Sequence, residues 1–272
     1  MKKLEIKDLH FSYASSAEVL KGMTLTFNQA STAIVGQNGA GKSTFVKLLK
    51  GLLKPVSGSI HFKGKDTKDL TAAQIAQEIG LVFQNPNDQI FKNTIIDEVM
   101  FGPLNIGQSE EEARKNALAA LKKVKLAVDF ESTNPYDLSL SERKMISIAS
   151  ILAMDTEVVI FDEPTMGQDY FGKETLKEII TELENQGKLV LCILHDMDFA
   201  AEVFDRIIVF NQGQVLLDGP PREVFSEREI LEQAHLEQPY LTTIANELGL
   251  KGSYLKDEEL IENLERKFKK NE

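Results

Sequence analysis

The residues with the clearest chemistry are GQNGAGKS at 36–43, a G-x-x-x-x-G-K-S loop between an apolar run at 31–35 and a helical pattern at 43–50. Glycines let such a loop turn tightly with its N–H groups facing inward, and the following helix N-terminus adds partial positive charge, so the segment reads as a phosphate cradle. Lys42 is placed to reach the β- and γ-phosphates and the Ser43 hydroxyl to ligate Mg2+. Gly36, Asn38, Gly39, Ala40, Gly41 and Thr44 complete the candidate nucleotide-binding set. Far downstream, VVIFDEP at 158–164 reads as a buried strand that delivers Asp162 to the carboxyl edge of a sheet, where it can hold Mg2+ opposite Ser43. Glu163, one residue on, is then placed to polarise a water for attack on the γ-phosphate. The implied chemistry is hydrolysis of a nucleoside triphosphate.

The elements around these residues alternate in type. Strands are expected at 4–11 and 23–27 with a polar loop at 12–18, then at 59–62 and 79–83 with a helix at 71–78 between them. From about 86 to 137 the pattern is helical, and Ser109 and Glu112 have capping-box spacing before a helix reaching about 124. Strands resume at 158–161, 189–194 and 207–210, and 208–217 reads as a hairpin. This order predicts an α/β fold: a nucleotide-binding core with an N-terminal β subdomain, a helical insert over about 86–155, and a C-terminal helical extension from 226 to 272. Leu260, Ile261, Leu264 and Phe268 give the extension an apolar stripe that should bury against something.

Composition excludes several classes. In 272 residues, 42% hydrophobic and 27% charged, no apolar run approaches the roughly 18 residues of a membrane span. The first residues also lack an apolar signal region, so a cytosolic chain is expected. A net charge of −11 argues against nucleic acid as a partner, since that binding neutralises phosphates with clustered Lys and Arg. The one cysteine, Cys192, lies within the apolar run at 189–194 and reads as an inert core thiol, leaving no disulfide.

With these motifs in place, residues 4 to 225 resemble the ATP-binding-cassette (ABC) ATPases, P-loop NTPases that bind ATP and Mg2+. The resemblance implies that the adenine stacks on Tyr13, that Gln84 is the Q-loop glutamine that touches Mg2+, that Asp169 is the D-loop aspartate, and that His195 is the switch histidine at the γ-phosphate. FQNPNDQIF at 83–91 with FGP at 101–103, and VFS at 224–226 with LEQP at 236–239, resemble the ATPases of energy-coupling factor (ECF) importers of vitamins and transition metals. That resemblance implies integral membrane partners, a position on the cytoplasmic side of the cell membrane, and a C-terminal extension used for subunit pairing.

One motif departs from the family. Where an ABC ATPase carries LSGGQ, which contacts ATP on the opposite subunit, this chain reads LSLSE at 138–142, with Met145 where an arginine is common. Side chains at Leu140 and Ser141 should hinder close approach of phosphate to the backbone, and Glu142 brings a negative charge, while Ser139 keeps a hydroxyl donor. The expectation is a heterodimer: a second ABC ATPase subunit with an intact signature completes the site built on Lys42, Asp162, Glu163 and His195. A regulatory, poorly hydrolytic subunit and the ATPase of a conventional ABC importer are the alternatives.

Overall fold

The computed structural model describes residues 4–14, 17–28 and 30–269. A four-stranded sheet of order β2-β1-β4-β5 is formed by β1 (Leu4–Ser12), β2 (Glu18–Phe27), β4 (Ser57–Phe62) and β5 (Lys65–Asp66). A six-stranded sheet of order β10-β9-β3-β8-β7-β6 is formed by β3 (Thr32–Val35), β6 (Ile79–Val82), β7 (Val158–Asp162), β8 (Leu189–Leu194), β9 (Arg206–Asn211) and β10 (Gln214–Gly219). All of its strands are parallel except β10, which pairs antiparallel to β9.

The parallel strands are apolar at nearly every position because both faces are covered. Val158 and Ile160 of β7 join a core with α1 (Lys42–Leu49) and the four-stranded sheet, where Phe45 packs against Phe27 and Phe210. Val159 and Phe161 point to the other face, against α3 (Ile95–Asn105), α4 (Glu110–Lys123), α5 (Leu140–Leu152) and α6 (Tyr170–Asn185). Helices α2 (Ala72–Glu78) and α7 (Met197–Val203) connect strands, and α8 (Pro221–Val224) follows the hairpin β9–β10. The hairpin turn places Gln212 and Gly213 at φ 47 and 81, as a two-residue turn of the twisted kind requires.

Most expected elements occur, and α4 carries the Ser109–Glu112 capping box read from the sequence. The second strand is longer than the expected 23–27 and starts at Glu18. Its buried residues run Leu20, Met23, Leu25 and Phe27, and the three-residue step across Gly22 (φ 72) breaks the two-residue alternation that would have revealed its first half. After α8 come α9 (Arg228–Gln233), α10 (Tyr240–Glu247) and α11 (Asp257–Lys269). Ala245, Tyr254 and Leu260 form a small core there with Leu264 packed against it, whereas Ile261 is exposed. One residue beyond Leu260 is about 100° around the helix, so the two cannot share a face. The side chain of Phe268 lies outside the described residues. Cys192 is fully buried, and burial pushes its thiol far up, as expected of an inert core cysteine.

No helix among the described residues is long and apolar enough to cross a membrane.

Candidate functional site

Parallel pairing brings four chain segments to one edge of the six-stranded sheet. Val35 pairs with Leu194, Asp162 with Ile193, and Val82 with Phe161, so the residues that follow these strands, Gly36, His195, Glu163 and Phe83, emerge side by side. Ligands of open α/β sheets bind outside this carboxyl edge.

The phosphate loop runs from β3 into α1. A Cβ at Gly36 would sit 2.4 Å from the Phe210 carbonyl oxygen, so the chain passes here only as glycine. Gly41 at φ 100 is the N-cap of α1; it offers no side-chain cap, and the first turn holds no acidic residue. That end of the helix is left for an anion. Lys42 Nζ donates to the carbonyls of Gly36 at 2.5 Å and Gln37 at 3.1 Å, folded over the loop it would share with a phosphate. Burial holds its pKa below the ordinary lysine value against the opposing charges of Glu163 and Asp162. Asn38, Gly39 and Ser43 are exposed at the mouth, while Ala40 and Thr44 are buried beneath it. Tyr13 stands beside this mouth with its hydroxyl 3.2 Å from Thr44 Oγ1 and its ring edge-on to Phe11.

Across the loop, Asp162 ends β7. Burial, reinforced by the neighbouring Glu163 charge, pushes its carboxyl up to about 6, and its Oδ1 is buried without a hydrogen-bond partner. An orphaned, buried carboxylate oxygen suits a hard divalent cation, so Asp162 fits Mg2+, and the Ser43 hydroxyl and Gln84 amide oxygen are of the donor type that would complete its ligands. Glu163 takes a left-handed backbone conformation (φ 49), fixed by its N–H to the Ile193 carbonyl at 3.0 Å. Its carboxylate is held from both sides: Gln84 Nε2 donates to Oε2 at 2.9 Å, and His195 Nε2 lies 3.0 Å from Oε1. Three residues read separately from the sequence thus form one contiguous cluster.

The second predicted phosphate contact is built differently. Ser139 is the N-cap of α5, and its Oγ donates to Glu142 Oε2 at 2.6 Å while accepting from the Glu142 N–H at 3.3 Å. The Ser139 N–H also donates to Oε2, at 2.9 Å. The Ser139 hydroxyl is a donor, and in this structure a capping box engages it inside the helix. These bonds hold the Glu142 carboxyl below the ordinary glutamate range. Ser141 turns sideways, its Oγ donating to Gln168 Oε1 at 2.9 Å, with Gln168 Nε2 returning a bond to the Ser141 carbonyl at 3.2 Å. Leu140 remains exposed. Asp169 caps α6 by accepting from the Gly172 N–H at 2.8 Å.

Sequence reasoning gave no role to Gln168 or Lys144, and it named Phe91 only as the end of the 83–91 segment. Lys144 is buried beneath the cluster, and Phe91 packs edge-on against Phe101 with Lys92 over both rings. The S-x-x-E spacing at 139–142 was itself a legible cap signal, the same as at 109–112.

A family profile described as ABC transporter matches residues 20–166. The energy-coupling factor transporter ATP-binding protein EcfA of Methanocaldococcus jannaschii is 38% identical over 251 residues, 91% of this chain and 90% of its own length. The solved structure of CbiO1 from Clostridium perfringens, described as part of the ABC transporter complex CbiONQ, superposes with a TM-score of 0.76 at 32% identity, covering 92% of this chain and 99% of that one. A dimeric ATP-binding cassette in a post-hydrolysis state bound to ADP and Pi gives a TM-score of 0.73 at 27% identity, over 80% of this chain and 99% of that one.

Proposed function

The chain belongs to the ABC transporter ATPases, and from that membership we propose that it is the ATP-hydrolysing half of a heterodimeric motor, seated on the cytoplasmic side of the membrane, for an energy-coupling factor importer that brings a vitamin or a transition metal into the cell. The observation that carries the working site is Glu163, held between Gln84 and His195 beside the unpaired Asp162 oxygen. Likeness to a protein named EcfA and to CbiO1 supports the importer type.

In this reading ATP enters over the loop and stacks on Tyr13, and Lys42 exchanges its two loop carbonyls for β- and γ-phosphate oxygens. Ser43, Asp162 and Gln84 would hold Mg2+, which would supply neutralising positive charge for the phosphates. Glu163 accepts a proton from the attacking water, and His195 orients its carboxylate and contacts the γ-phosphate. Because Gln84 Nε2 donates to Glu163 Oε2, any movement of the Gln84 loop changes how the base is held, so hydrolysis and the position of the Q-loop are linked. The second subunit contributes an intact signature and closes the dimer over ATP, and loss of the γ-phosphate opens it again. An apolar groove lined by Phe91, Phe101, Gly102, Ile106, Ile151 and Met154, on the flank of the Gln84 loop, accepts a helix of the integral membrane subunit. Helices α9 to α11 serve as the extension that pairs the two ATPases.

The self-capped α5 N-terminus favours a second reading, a regulatory subunit that binds ATP without turning it over. ATP turnover by the chain alone, and mixed with a second ATPase and the membrane component, separates the two. The transport reading expects turnover only in the mixture, and Glu163→Gln lowering it by about 10²- to 10⁴-fold while ATP still binds. Turnover by the lone chain equal to that of the mixture removes the heterodimer, and none anywhere despite tight binding leaves the regulatory reading.

A further inference from the structure

Lys144, on the first turns of α5, is 2% exposed, and no established role of the site uses it. Its Nζ donates to the carbonyls of Phe83 at 2.9 Å, Gln84 at 2.6 Å and Asp162 at 3.2 Å. An ammonium has three donors, and here all three go to backbone oxygens of two segments otherwise separate in the chain. Burying a cation is unfavourable unless its donors are met, and an apolar side chain of similar volume often fills such a space at no loss of stability. What a methionine could not supply is a joint with fixed geometry between the loop bearing Gln84, the strand end bearing Asp162 and Glu163, and the helix capped by Ser139. Neighbouring contacts strengthen it: Arg143 donates to Asn87 Oδ1 at 2.7 Å, and Gln89 Nε2 to the Ser147 carbonyl and to Ser150 Oγ, both at 2.9 Å.

We propose that Lys144 is a positioning residue for hydrolysis: it pins the Gln84 loop and the Asp162–Glu163 turn to α5, so the metal ligands and the base keep their spacing and move with the helix that faces the partner's nucleotide. The proposal rests on the reading of Gln84, Asp162 and Glu163 given above. In the assembled complex, Lys144→Met lowers kcat by roughly 10- to 100-fold, the usual effect of removing a group that orients metal ligands. KM for ATP rises by no more than the Mg2+ gain in affinity that is lost, so kcat falls further than KM rises. A second readout needs no turnover: ATP affinity of the isolated chain by calorimetry, in EDTA and in Mg2+. Lys144→Met keeps the EDTA affinity and loses most of the gain that Mg2+ confers. Asn87→Ala, which cuts only the supporting Arg143 tie, shifts both readouts in the same direction as Lys144→Met but by less than about twofold. If Lys144→Met fails to fold, Lys144→Gln, with two donors on a shorter arm, shows the same pattern in weaker form. Wild-type kcat and Mg2+ gain in the Lys144 variant overturn the proposal. So does a joint fall of kcat, EDTA affinity and melting temperature, which would mark a brace of the fold alone. A wild-type complex without turnover sinks the working-site reading, while the Mg2+ gain still decides the role of Lys144.

Discussion

Two helices, α1 and α5, point their N-termini at places where the sequence predicts a phosphate, and the two ends are finished in opposite ways. At α1 the cap is Gly41, with no side chain to bond the first N–H groups and no acid in the first turn. At α5 the cap is Ser139, bonded reciprocally to Glu142, which puts a carboxylate on the first turn. A helix N-terminus attracts an anion through unpaired N–H groups and its dipole, and whatever satisfies these from within competes with a ligand from outside. The first end is open to ATP; the second already holds its own carboxylate. The difference lies in four residues, and it supports the view that this chain lends its partner a weaker contact than it receives.

Three substitutions test that contrast. The largest effect is expected from Gly41→Ala, whose Cβ would meet Leu20 Cδ2 at 2.7 Å at φ 100. Left-handed strain of about 1–2 kcal/mol, relieved only by shifting the loop, should weaken ATP binding about tenfold or more by calorimetry. Unchanged affinity would show that the open end of α1 is not what holds the phosphates. Next, Glu142→Gln keeps a capping side chain and removes its charge. One charge at a helix N-terminus amounts to about 0.3–1 kcal/mol, so turnover of the assembled complex should rise roughly two- to fivefold. No rise, or a fall, would mean that the carboxylate is no obstacle.

The smallest effect is on stability. Ser139→Ala removes the cap and should cost about 1 kcal/mol at neutral pH in thermal or urea melts. Because Glu142 has its pKa lowered in the fold, its share of this stability is present above the ordinary glutamate value and is lost as pH falls through the lowered one. The gap between wild type and Ser139→Ala should therefore narrow in acid. A gap independent of pH would show that the carboxylate takes no part in the cap.

The fold was legible to the extent that it is local. Each parallel strand is a short, almost wholly apolar run, and the loop at 36–43 carries its own turn glycines, so periodicity and composition find them. The first half of β2 was hidden because a bulge at Gly22 breaks the alternation. Within the site, the residues at strand ends could be named one by one, but neither the 79-residue separation of Gln84 from Glu163 nor their 2.9 Å contact is a property of either segment. Ser141 and Gln168 lie in separate segments of the chain, and only in the fold do they meet.

By itself the sequence determined the phosphate loop, the acidic strand end, the family, and the altered signature, since each is a pattern of residue types at close spacing governed by backbone conformation and local hydrogen bonding. The tertiary structure alone decided which carboxylate oxygen is orphaned, that Glu163 is held from two sides, and that Lys144 spends its charge on three carbonyls beneath the cluster. Burial and pairing between distant segments depend on how β6, β7, β8 and α5 pack together. Desolvation, which sets the chemistry of Asp162 and Lys144, exists only once that packing has excluded water.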